Sequence, residues 1–169
     1  MGTIISTSNK VSSIFKVSGF TAITGVTTNE LTGSVLVPAN SLAPPAGGVI
    51  AEVTGRIVKT GTNGTVITRI YANTIPGLSG AILLGSTTAS GASNLFVQMI
   101  RTLIIGQSPI NTKVFQAGGA AYDDMATSTG AETAAAVDWR VDQYIILAVQ
   151  NANALDSTIG SGIIFKIYK

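Results

Sequence analysis

Five acids fall within twenty positions, Asp123, Asp124, Glu132, Asp138 and Asp142, with Arg140 as the one base among them. Carboxylates grouped in this way could do two kinds of chemistry. Calcium takes oxygen ligands from carboxylates and loop carbonyls, so a site around Asp123-Asp124 is one reading, although the D-x-D-x-D-G spacing of a calcium loop is missing. The other reading of the same residues is a solvated loop followed by acids at strand ends. Glycoside hydrolysis needs two acids flanking one bond, and nothing in this spacing selects a pair. The chain has no histidine, which removes the commonest general base and the Ser-His-Asp arrangement. It has no cysteine, which removes thiolate ligands and disulfides. Its nineteen glycines include no G-x-x-x-x-G-K-[ST] phosphate loop. The residues therefore argue against an enzyme, and no cofactor is expected.

Two arginines stand where a charge is costly unless it is paired. Arg101 shares a face with Val97, Met99 and Leu103, and Arg69 interrupts the run from Val66 to Ala72. One reading is a buried ion pair or subunit contact with Asp138, Asp142 or an acid of a neighbouring chain. The other is an outward-facing side chain at a strand end or bulge. Trp139, the only tryptophan, reads as a core anchor.

The elements that must position these residues are strands. From Asp142 onward Ile145, Leu147 and Val149 alternate with Tyr144, Ile146 and Ala148, and both sets are mostly apolar, as in a central buried strand. Ile163, Phe165 and Ile167 alternate with Ile164, Lys166 and Tyr168 in a half-exposed strand. Between the two lies the turn-rich NANALDSTIGSG, so they are expected to form an antiparallel hairpin. Upstream, Val49 to Lys59 alternates with Val49, Ala51, Val53 and Ile57 on one face and Glu52, Thr54, Arg56 and Lys59 elsewhere. Asn63-Gly64 supplies the positive φ angles of a tight turn, and the return strand ends at Asn73. Shorter strands are expected at Ser34 to Val37, Ala81 to Leu84 and Thr112 to Gln116, and a long one at Leu95 to Ile105. Ser86 to Ser93 reads as loop. Residues 117 to 135 read as a long surface loop, with a short helix near Glu132 to Ala136 as the alternative. About eight strands without a useful amphipathic helix indicate an all-β sandwich or barrel.

Composition adds a surface argument. Charged residues make up 11% of the chain and hydrophobic residues 46%, against about 25% charged in ordinary soluble domains. No apolar run approaches the ~20 residues of a membrane helix. A chain with so few charges is expected to hide surface against other chains, beginning with copies of itself. The ten basic residues are scattered and the net charge is +2, so neither nucleic acid nor membrane is an expected partner. The start, MGTIISTSNK, lacks the basic and apolar regions of a signal peptide.

The runs RIYAN (Arg69 to Asn73), GAILL (Gly80 to Leu84) and LFVQMIRTLII, then VDWRVDQYIILAVQNANALDS and the closing IIFKIY, are similar to jelly-roll domains in structural proteins of tailed bacteriophages. The most specific piece is D-W-x-x-D-Q-Y-I, from Asp138 to Ile145. The resemblance implies an eight-stranded antiparallel jelly-roll sandwich over residues 34–169. It implies a homotrimeric, non-enzymatic virion protein, foremost a capsid decoration protein on the head exterior beside a major capsid protein. A receptor-binding tail-tip or needle knob is the runner-up, and a carbohydrate-binding module is a third reading. Core or oligomer contacts are expected at Trp139, Tyr144, Ile145, Leu147, Val149, Arg69, Arg101, Ile163, Phe165 and Ile167. Residues 1–33 read as an extended N-terminal arm or peripheral strands, with Ile4, Ile5, Ile14, Phe15, Val17 and Phe20 as capsid-docking candidates.

Overall fold

The computed structural model describes residues 11–17, 19–25, 28–42, 48–90, 92–106, 112–116 and 132–168. These residues form eleven strands and no helix. In chain order they are β1 (Val11–Val17), β2 (Ile23–Thr24), β3 (Glu30–Val37), β4 (Val49–Thr60), β5 (Val66–Asn73), β6 (Ile82–Ala89), β7 (Leu95–Ile105), β8 (Thr112–Gln116), β9 (Glu132–Ala135), β10 (Gln143–Asn151) and β11 (Ser157–Tyr168). The first sheet runs β1-β11-β4-β7-β8-β9, with β2 beside β11, and the second runs β3-β10-β5-β6. Setting aside β2 and the β8–β9 hairpin leaves eight strands in two sheets, β1-β11-β4-β7 and β3-β10-β5-β6, a jelly-roll sandwich.

The period of two fills the space between the sheets. Val49, Ala51, Val53 and Ile57 of β4 point inward, as do Ile145, Leu147 and Val149 of β10 and Ile163, Phe165 and Ile167 of β11, and all are buried. Each large apolar side chain so placed stabilises the fold by roughly 1.5–3 kcal/mol. Trp139 closes one end of this core: its ring centre lies 5.7 Å from that of Phe165, and its Nε1 donates to Thr112 Oγ1 at 2.8 Å. Ile146 and Ala148 point the other way and are buried too, so β10 is covered on both faces.

Several expectations are corrected. The roll does not close from residue 34 onward, because β1 is one of its eight strands and pairs along β11 with Phe15 opposite Phe165. A division after residue 33 would cut β3, which pairs with β10 from Glu30 onward. Phe15, Val17 and Phe20 pack against the core rather than standing ready for a capsid. The ring of Phe20 lies over Gly33 and Gly160, where a β-carbon at either position would overlap it. Ile14 faces outward and is exposed, while Ile4 and Ile5 lie outside the described residues. β6 continues through Ser86 to Ala89, and β11 begins at Ser157, inside the stretch read as loop; β10 and β11 lie in different sheets and do not pair as the expected hairpin. Glu132–Ala135 is a strand beside β8 rather than a helix or loop. Asp123 and Asp124 lie outside the described residues. In the β4–β5 turn the positive φ falls at Gly61, at 124°, and not at Asn63-Gly64. The turn is shaped by Asp156, whose Oδ1 accepts the Thr62 amide at 2.6 Å.

Candidate interaction face

The strand registers bring side chains into rows on the outer surface of the first sheet. Tyr168, Ile50 and Ile104 make one row, followed by Ile14, Lys166 and Glu52, then Ile164, Thr54 and Ile100, then Arg56 and Gln98, and last Ile159, Val58 and Phe96. Phe96 is 85% exposed, and Ile14, Ile50, Ile104 and Ile159 are exposed with it. Single apolar residues at a surface are ordinary; a sheet face on which they recur row after row suits contact with another surface. Charges interrupt these rows at Lys16, Glu52, Arg56, Lys113 and Lys166, and several of them are engaged. Lys166 Nζ meets Glu52 Oε1 at 3.3 Å, and Arg56 Nε donates to Gln98 Oε1 at 2.8 Å.

The outer surface of the second sheet differs. Tyr144 flanks the buried Ile146 there, and Arg69 donates to Asn29 Oδ1 and to Gln150 Oε1, each at 3.0 Å. Asn29 Nδ2 in turn donates to the Tyr71 hydroxyl at 3.0 Å. Arg69 is therefore satisfied by amides rather than by an acid, and it ties the segment before β3 to β5 and β10.

Arg101 is the second arginine that interrupts an apolar strand, and it points inward. It is 4% exposed, and its guanidinium donates to the carbonyls of Ile100 and Ser86, each at 2.8 Å. Burial lowers its pKa. No described carboxylate reaches it. The acids expected to pair with it are engaged elsewhere: Asp142 Oδ1 accepts the Ala39 amide at 2.7 Å, and Asp138 forms a two-point contact with Arg140 at 2.8 Å. That side-chain hydrogen bond, first among its causes, holds Asp138 down to about 2.

A charged pair that sequence reasoning missed sits at one end of the sandwich. Lys59 and Asp156 are both 0% exposed, with Lys59 Nζ 3.2 Å from Asp156 Oδ1. Lys59 also donates to the Thr62 carbonyl at 2.6 Å, and Asp156 Oδ1 accepts the Thr62 hydroxyl at 2.8 Å. Burial pushes the Asp156 carboxyl up, but the Thr62 amide and hydroxyl and Lys59 outweigh it and hold the group below its usual range. The available signal was phase, since Lys59 falls in step with Val53 and Ile57. Its charge argued the other way.

Glu30, Glu52, Asp138, Asp142 and Asp156 thus each have their own partner, and no group of three metal-ligating side chains forms among the described residues. No protein-family model matches the chain, and no curated protein matches it in sequence. Some solved structures are weakly similar to it. The CBM2 module of the evolved Dit of Lactobacillus casei BL23 phage J-1 is 8% identical at a TM-score of 0.37, over 80% of this chain and 68% of that one. The catalytic domain of an endo-1,3-beta-glucanase (laminarinase) from Thermotoga petrophila RKU-1 is 9% identical at 0.32, over 92% of this chain and 76% of that one. The infectious bursal disease virus Gx strain structure is 11% identical at 0.35, over 92% of this chain and 40% of that one. Similarity at this level identifies neither a family nor an activity.

Proposed function

We propose that this chain is a non-enzymatic structural protein of a virion, foremost a capsid decoration protein of a tailed bacteriophage that works as a homotrimer on the head exterior. The observation that carries this reading is the outer face of the first sheet, where Ile14, Ile50, Ile104, Ile159 and Phe96 stand exposed on a jelly roll with few charges. A surface of that kind is stabilised by contact with another protein. The resemblance of Asp138 to Ile145 and the strands around it to phage jelly-roll proteins points the same way. Protein identification on separated heads and tails tests the reading: many copies per head are expected, and recovery with tails alone would replace it with a tail-tip knob. Light scattering at micromolar concentration should show self-association, and a lone 17.2 kDa species would overturn that part.

A glycan-binding reading draws on one feature of the same face, the exposed Phe96 one row from the planar Arg56–Gln98 pair. It requires that polysaccharide retain the protein on an affinity gel and that Phe96→Ala abolish the retention.

A further inference from the structure

The free edge of a sheet presents unpaired N–H and C=O groups, and proteins block such edges with bulges, charges, short strands or covering chain. Most edges here carry such a device. β1 has an extra residue, Ser12, in its register with β11, and an exposed Lys16. β3 has Thr32 as an extra residue, and Thr21 covers it, donating its amide to the Thr32 carbonyl at 2.8 Å. β6 is bulged at Leu84, and Arg101 occupies the Ser86 carbonyl beyond it. β9 is four residues long.

One edge has no bulge, charge or covering strand among the described residues, and only the Ile100 carbonyl at its end is taken, by Arg101. β8 pairs only with Arg101–Ile105 of β7, so Leu95–Ile100 has β4 on one side and no paired strand, among the described residues, on the other. That stretch, LFVQMI, contains no charge, no proline and no glycine, and its register with β4 is unbroken. It combines high strand preference with a ladder that no described strand occupies.

We propose that this edge pairs antiparallel with the same edge of a second copy about a two-fold axis, joining the two first sheets into one. A two-fold contact must be self-complementary. Side chains alternate between faces, so the numbers of directly opposed residues must sum to an even value. A register centred on Gln98 meets this condition. It sets Phe96 against the partner's Ile100 on the outer face and Val97 against the partner's Met99 on the inner face. Apolar residues meet apolar ones, and no like charges oppose each other. The contact accounts for a phenylalanine left 85% exposed in the single chain. It stands independently of the virion reading, and it can coexist with a three-fold contact elsewhere, giving six copies instead of two.

Light scattering of the full chain at micromolar concentration, with amide hydrogen exchange, tests this. The wild type should have an even multiple of the 17.2 kDa chain mass. Gln98→Lys opposes two lysines across the axis and should halve that mass. Phe96→Lys, at a side chain already in solvent, should do the same, and it serves if the first variant loses its β-sheet circular dichroism. The amides of Leu95–Ile100 that face away from β4 should be protected in the wild type and exchange freely in either folded variant. An unchanged mass in a folded variant, or a wild type of one or three copies, overturns the proposal. Neither result bears on whether the protein belongs to virions.

Discussion

Lys59 and Arg101 both lie on the inner face of the first sheet, and the molecule satisfies them in opposite ways. Lys59 sits at the end of β4 under two turns, where a dedicated carboxylate, Asp156, meets it along with the Thr62 carbonyl. Arg101 sits where β8 has stopped pairing and β6 is an edge, and among the described residues it takes only carbonyls. The difference follows from what each place has left over. A turn can fold an acid inward, as the one between β10 and β11 does with Asp156. The rim of two sheets instead offers carbonyls, and a planar group with several donors can collect them from both sheets. A buried cation thus predicts a partner, but not necessarily an acid.

The largest expected effect is on the Lys59 side. Asp156→Ala leaves an uncompensated charge, and breaking a buried pair from one side destabilises by about 3–5 kcal/mol. The pair is sealed only by its two turns rather than deep in the core, so a loss of roughly 3 kcal/mol, the lower end, is expected in urea denaturation. The double variant Lys59→Met/Asp156→Leu should recover most of that loss. No recovery would mean that the turn geometry, and not the charge, is what Asp156 maintains.

Arg101→Met should be milder. It removes a charge that has no carboxylate partner among the described residues and leaves two carbonyls without their donors, for a loss of about 1–2 kcal/mol. A loss equal to that of Asp156→Ala would show that Arg101 has an acidic partner after all, and the contrast between the two cations would collapse.

The same contrast marks what could be read in advance. The strand limits of β7 and β8 follow from alternation and from their Gly, Ser and Pro stops, because those signals are local. The start of β11 does not, because Gly160 and Ser161 look like turn residues; Gly160 is in the strand to admit the ring of Phe20, a contact made across the sheets. β1 looked dispensable because the chain around it is rich in Ser, Thr and Gly, and an edge strand needs only one apolar face, here Phe15 and Val17. Arg101 and Arg69 stood out as charges in apolar runs, yet their acceptors are backbone carbonyls and amides whose positions only the folded pairing sets. The exposed face of the first sheet was foreshadowed by low charge alone. Which side chains share a row depends on the registers of β1, β11, β4 and β7.

The smallest effect separates the two cations by pH. Asp156 has a folded pKa below its ordinary value, and an unfolded aspartate titrates near about 3.9. Its contribution is therefore full above that unfolded value and is lost as pH falls through the folded one. The stability difference between wild type and Asp156→Ala should hold constant from neutral pH down to about 4 and shrink below it. The guanidinium of Arg101 keeps its proton throughout that range even though burial lowers its pKa, so the difference between wild type and Arg101→Met should stay level. Asp138, held at about 2 by Arg140, titrates alike in all three proteins and cancels from both differences. Urea denaturation at a series of pH values reads the two differences side by side. Parallel curves would mean that the Lys59–Asp156 pair contributes through packing and not through charge.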